Sequence, residues 1–169
     1  MEITSIPFSK LLAILLLSLL GLLGNYIYLQ LFFNVDLIFG SIAAMIVLRR
    51  YGPVWAVPVA VIAASYTYVL WNHPYAIIIF ACEILFVAFV YRRYTHNIVL
   101  SDALYWLVLG MPLVFLFYRI VMDMALSASI LIMLKQSING IFNALVAVLL
   151  LSLLSLIFPA WSHKEERVA

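Results

Sequence analysis

Long apolar runs, separated by short clusters of charge, proline and aromatic residues, make up nearly the whole chain. They extend over Leu11 to Leu29, Leu31 to Leu48, Pro53 to Trp71, Tyr75 to Tyr91, Ile98 to about Tyr118 and about Ser137 to Phe158. At ~20 apolar residues per crossing, each run matches one transmembrane helix. The pattern therefore predicts an all-α polytopic bundle of six transmembrane helices, a single transmembrane domain over residues 1–169. Asn34 and Asp36 interrupt the second run, which places that polar pair at a water-facing end, and Arg49 with Arg50 stops it. The stretch from Arg119 to Gln136 is mildly apolar but holds Arg119, Asp123 and Lys135, so an interfacial helix or loop on the outer side is expected, with a re-entrant segment as the alternative. The first run follows Lys10 but is longer than a signal-peptide core and lacks a small-x-small exit, so it is expected to stay as a helix.

Composition sharpens this picture. Of the 169 residues, 68% are hydrophobic and 9% charged, which leaves no room for a soluble catalytic domain. The mean hydropathy is +1.21, far on the membrane side of globular chains. A net charge of +2 without a clustered basic face excludes nucleic acid as a partner and leaves the lipid bilayer as the principal one. Six spans from a cytoplasmic N-terminus put Lys10, Arg49, Arg50, Arg92, Arg93, Lys164 and Arg167 inside and leave Arg119 and Lys135 outside, the asymmetry that orients membrane proteins. Both termini are then cytoplasmic. Tyr26, Tyr28, Tyr66, Tyr68, Trp71 and Tyr118 fall at the outer headgroup level, and Tyr51, Tyr91, Tyr94 and Trp161 at the inner one. The single cysteine, Cys82, can form neither an internal disulfide nor a thiolate pair for metal.

Small residues indicate how the helices meet. Ala56, Ala60 and Ala64 recur every fourth position on the third run, and Gly40 with Ala44 do the same on the second, so these two helices are expected to pack through those faces. Pro58 and Pro112 lie inside runs and predict kinks whose freed backbone groups are satisfied within the bundle. There is no internal repeat and no low-complexity linker.

An ionisable group inside a span costs at least ~2.5 kcal/mol near the centre on insertion scales, so Glu83, mid-way along the fourth run, requires a partner. Lys135, Asn139 and Asn143 share one helix face at four-residue spacing, with Gln136 beside it. Glu83 is expected to meet this face and to form an outward-opening polar ligand site; the alternative is a carboxyl serving only as interhelical glue to Asn139 or Asn143. The aromatic turn YTYVLWNHPY, with Tyr66, Tyr68, Trp71, Asn72 and His73, forms either the rim of that site or an interfacial belt. A metal at His73 would need Asp36 or Asp123, and no ligand spacing supports one. Arg119 and Asp123, four apart, are expected to pair. Asp102 is expected to stabilise the start of the fifth helix, and the acids at 36, 83 and 102 form no obvious dyad. No nucleophile elbow, HExxH, Walker loop or paired CxxC is present, so neither enzyme activity nor a cofactor is expected.

The strings WNHPYAIIIF, CEILF and KQSINGIFNAL, within a similarity running from about Val35 to Leu151, resemble the N-terminal membrane sensor modules of bacterial histidine kinases and diguanylate cyclases, the group of MASE and LytS-type domains. The resemblance implies a receptor in the bacterial inner membrane, part of a two-component or similar signal-transduction system. Asn72, His73, Pro74, Glu83, Lys135, Gln136, Asn139 and Asn143 are the residues it carries over. A small-molecule ligand would shift the last helix and so act on a cytoplasmic output domain. Since the sequence ends at SHKEERVA without one, that domain is implied in a longer chain or on a separate partner, and such modules often act as homodimers. More loosely, the chain is similar to the substrate-binding S components of energy-coupling-factor vitamin transporters, six-helix bundles with an RxxGP-like turn, here RRYGP at 49–53. Their alanine stripe on the first helix is missing; Gly21 and Gly24 stand in its place. The expected function is thus ligand sensing, with a solute-binding transporter subunit or a structural scaffold as alternatives.

Overall fold

The computed structural model describes residues 7–30 and 36–157. Helix α1 covers Phe8–Tyr26, α2 Gly40–Tyr51, α3 Pro53–Trp71, α4 Tyr75–Thr95, α5 Ile98–Val121 and α6 Leu126–Ile157. Between α1 and α2 a short antiparallel pair joins β1, Leu29–Gln30, to β2, Asp36–Leu37. The protein is an all-α polytopic membrane protein. Five of its described helices, all but α2, are long and apolar enough to cross a bilayer.

Two boundaries differ from the hydropathy reading. The run over 31–48 is not a single span: its helix, α2, has 12 residues, about 18 Å at 1.5 Å per residue, against ~30 Å of hydrocarbon. The short antiparallel pair precedes it in the chain, and residues from Gly40 to Leu48 are almost all buried. Nor is Arg119 to Gln136 a separate interfacial or re-entrant piece. Arg119 belongs to α5, and α6 begins at Leu126 and runs unbroken for 32 residues. Lys135 and Gln136 are tolerated because they face a cavity rather than lipid.

Turn chemistry fixes the connections. Gly52, at φ 87°, lets α2 reverse directly into α3, with Pro53 at the first position of the new helix. Asn72 ends α3 in the left-handed region at φ 56°, its N–H donating to Tyr68 O at 2.8 Å, and Pro74 opens α4. The distinctive WNHP string is in part a helix stop and start. Asn97 caps α5, its Oδ1 accepting from Leu100 N at 3.0 Å. Asp102, expected in that role, instead lies buried in the bundle.

Helices α2 and α3 pack on each other as expected, and α1 joins them, but Gly40 faces Asn25 of α1. Ala56, Ala60 and Ala64 of α3 and Ala43 and Ala44 of α2 are all buried. A Cβ at Gly21 would come within 3.0 Å of Ala63 Cβ and 3.2 Å of Ala43 Cβ, so α1 sits at contact distance on both neighbours. Asn25 locks the three together: its Nδ2 donates to Ala63 O at 2.7 Å and its Oδ1 accepts from Gly40 N at 2.6 Å.

The helices share two ends. Lys10 Nζ lies 5.1 Å over Trp55 and 5.7 Å over Tyr51, and the Arg49 guanidinium lies 5.1 Å over Tyr91. Arg49 also shares a small cavity with Asn97, at the start of α5, and with Ser152 and Ser155, near the end of α6. The start of α1 and the end of α6 therefore lie at one end, with Arg50, Arg92 and Arg93. At the other end are the α3–α4 turn, the end of α5 and the start of α6. Lys164 and Arg167 lie outside the described residues.

Candidate functional site

A cavity of about 400 Å³ opens at the end away from the arginines. The α3–α4 turn lines it with Trp71 and His73, the end of α5 with Tyr118, Met122 and Met124, and α6 with Ala128, Leu131, Ile132, Lys135 and Gln136. The α5 residues reach it because the helix widens over Phe115–Val121: Met122 N donates to Phe117 O, five residues back, at 2.9 Å. Asp123, left-handed at φ 50°, then ends the helix, and Met124 N returns to Tyr118 O at 3.0 Å. Arg119 and Asp123 form the expected ion pair at 2.9 Å, and Arg119 also donates to Met124 O at 3.0 Å, which pins this turn.

Aromatic rings form one wall. His73 stacks on Tyr75 at 5.1 Å between centroids and meets Tyr118 edge-on at 5.1 Å, with Trp71 roughly parallel at 6.3 Å. Tyr75 in turn stacks on Phe117 at 4.6 Å, which fixes the wall to α5. Burial pushes the His73 imidazole below its ordinary pKa of 6.5, so the ring is neutral at pH 7. Lys135 Nζ sits 4.8 Å from the centre of the Trp71 ring. Two buried polar atoms here have no protein partner, Gln136 Oε1 and His73 Nδ1, on side chains 2% and 8% exposed. A buried acceptor without a donor costs roughly 1–3 kcal/mol, so these atoms mark where a guest molecule or water would bond.

Of the expected site residues, Trp71, His73, Lys135 and Gln136 come together at this cavity. The others are elsewhere. Tyr66 packs edge-on against Tyr26 at 5.5 Å, Tyr68 is exposed, and Asn72 is the exposed helix stop. Asn139 and Asn143 bind backbone instead of Glu83. Asn139 Oδ1 accepts from Ile38 N and its Nδ2 donates to Ile38 O, both at 2.8 Å, while Asn143 Nδ2 donates to Ile38 O and Ser41 Oγ at 2.8 Å each. They satisfy the backbone where the hairpin enters α2, and so compensate for that short helix.

Glu83 belongs to a separate buried cluster. Its Oε1 accepts from Trp106 Nε1 at 3.2 Å, and the carboxyl of Asp102 lies near enough to interact with it electrostatically, while Glu83 Oε2 and both Asp102 oxygens are buried without a hydrogen-bond partner. The two acids do approach each other, contrary to the reading that found no dyad. Helix α6 seals the cluster with Gly140, where a Cβ would collide with Trp106 Nε1 and come within 2.9 Å of Glu83 Oε1. Tyr105 closes the far side, its hydroxyl donating to Ile79 O at 2.6 Å. Residues lining the cavity that sequence reasoning had not assigned to it, Tyr118, Met122, Met124, Ala128, Leu131 and Ile132, carry no motif. Only the widened α5 and the early start of α6 bring them there.

Neither a protein-family model nor a curated protein matches the chain. Among solved structures, one described as the structure and mechanism of the S component of a bacterial ECF transporter is similar, with a TM-score of 0.73 at 20% identity, covering 88% of this chain and 96% of that one. At that identity the likeness is one of fold, and it runs over nearly the whole of both chains.

Proposed function

We propose that the protein is a membrane-embedded solute-binding subunit, of the kind to which the S component of an ECF transporter belongs, taking a small molecule at the cavity between the α3–α4 turn, α5 and α6. The observation that carries this reading is the cavity of about 400 Å³ with a lysine at its wall and buried, unpartnered Gln136 Oε1 and His73 Nδ1. Its size and mixture of apolar wall with few polar atoms suit a small ligand. The neighbour's fold favours a binding subunit over the signalling receptor first expected, and nothing in the comparisons supports a cytoplasmic output domain, a kinase or a cyclase. A binding subunit catalyses no reaction itself, and transport would need a separate energising partner.

The chain makes six passes in this reading, the second through the hairpin and α2. The arginine-rich end faces the cytoplasm of a bacterial inner membrane and the cavity opens outward. Thermal unfolding of the purified protein in detergent, measured against a library of small solutes, tests the reading. A ligand at 100 times its Kd stabilises by about 2.7 kcal/mol. At least one solute is expected to raise the midpoint of the wild type and not that of Ala128→Trp, which fills the cavity. Solutes that stabilise both equally, or a library without effect, would overturn it.

A further inference from the structure

The chemical class of the guest can be narrowed, and this inference rests on the solute-binding reading above. Lys135 is the one charged side chain among the described residues lining the cavity, His73 being neutral. Asp36 reaches Lys135 electrostatically, but it does not line the cavity and makes no ion pair with it within 4.0 Å; the pair at the rim is Arg119 with Asp123. A cationic guest would meet an ammonium in a half-buried site with no lining carboxylate. A polyanion would bring charges that one lysine cannot balance. One negative charge is the complement. The Trp71, His73 and Tyr118 rings beside it offer flat apolar surface to a ring, and Gln136 Oε1, buried and without a donor, asks for an N–H or O–H from the guest.

We propose that the cavity takes a small ring-bearing monoanion, a carboxylate, whose charge is met by Lys135, whose ring lies against Trp71, His73 and Tyr118, and whose N–H or O–H donates to Gln136 Oε1. The class follows from geometry and charge at the site. It excludes nucleotides, free cations and extended sugars.

Three compounds that share one ring and one N–H test it: indole-3-acetate, indole-3-acetamide and tryptamine, an anion, a neutral molecule and a cation at pH 7. Calorimetric titration of the full chain in detergent is expected to give indole-3-acetate at least tenfold tighter than the amide, and no binding of tryptamine. Lys135→Gln is expected to lower the acid to the level of the amide while leaving the amide unchanged, and Lys135→Arg to keep the preference for the acid. Gel filtration and the amide titration report whether each variant is folded. Gln136→Leu is expected to weaken acid and amide alike, since both carry the same N–H. Equal binding of all three compounds, a preference for tryptamine, or an acid preference untouched by Lys135→Gln would overturn the charge assignment and leave the solute-binding reading standing. Binding of none of the three would overturn the ring-acid class. The solute-binding reading itself falls only if the Ala128→Trp comparison also fails.

Discussion

Glu83 is a buried carboxyl that ties α4 to α5 and does not line the cavity. Its oxygen accepts from the indole of Trp106 and its neighbour is Asp102, all three fully or almost fully buried. Glu83→Ala is expected to leave the indole N–H without an acceptor and to cost about 1–3 kcal/mol for that group alone. Glu83→Gln keeps an acceptor for Trp106 and offers Asp102 a donor, so a change of about 1 kcal/mol or less is expected, and unfolding in detergent separates the two variants. His73 supplies a second residue-scale prediction. Burial lowers its pKa, so just below pH 6.5 the unfolded chain binds more protons than the folded one, and stability falls as pH drops from 6.5 toward the folded value. His73→Phe keeps a ring between Tyr75 and Tyr118 and is expected to flatten this part of the pH dependence of the unfolding midpoint. That Glu83 needed a partner was legible in the sequence, because an acid inside an apolar run requires one. Which partner was not, since Trp106 and Asp102 lie on another helix and their register with Glu83 depends on how α4 and α5 pack.

At the scale of elements, the short α2 is the feature that organises the bundle. A 12-residue helix cannot cross a bilayer, and its N-terminal backbone would be exposed to lipid unless something covered it. Asn139 and Asn143 of α6 bond the Ile38 backbone, and Asn25 of α1 takes the Gly40 N–H. Asn139→Ala is expected to speed amide exchange at Ile38 by tenfold or more, with little change in the middle of α3; hydrogen exchange read by mass spectrometry checks both. The carboxamide spacing at 139 and 143 was visible in the sequence as one polar helix face, and its partner was misassigned. Polar side chains in a span satisfy either another side chain or broken backbone, and hydropathy does not distinguish the two. The same blindness explains α6, where Lys135 and Gln136 read as the end of a loop and are in fact the cavity wall of a continuous helix.

At the scale of the whole molecule, charge and shape point the same way. The end holding Lys10, Arg49, Arg50, Arg92 and Arg93 is opposite the cavity, so the cavity faces outward if the basic end is cytoplasmic. In a Cys82→Ser background, Asp123→Cys is expected to react with a membrane-impermeant maleimide added to intact cells, and Tyr94→Cys only after permeabilisation. The reverse pattern would invert the protein and place the cavity on the cytoplasmic side.

The sequence by itself determined that this is a helical membrane protein, where the turns at Gly52 and at Asn72 to Pro74 fall, which end is basic and that α2 and α3 are neighbours. Those properties depend on transfer free energies, backbone preferences and charge, which act residue by residue or along one helix. Only the tertiary structure decided that Glu83 pairs with α5, that Asn139 and Asn143 serve the backbone of the hairpin, and that Lys135, Gln136, Trp71 and His73 meet Tyr118 around one cavity. Those depend on the rotation and depth of each helix against its neighbours. Contacts across five or six helices set both together, and no single run of the sequence encodes them.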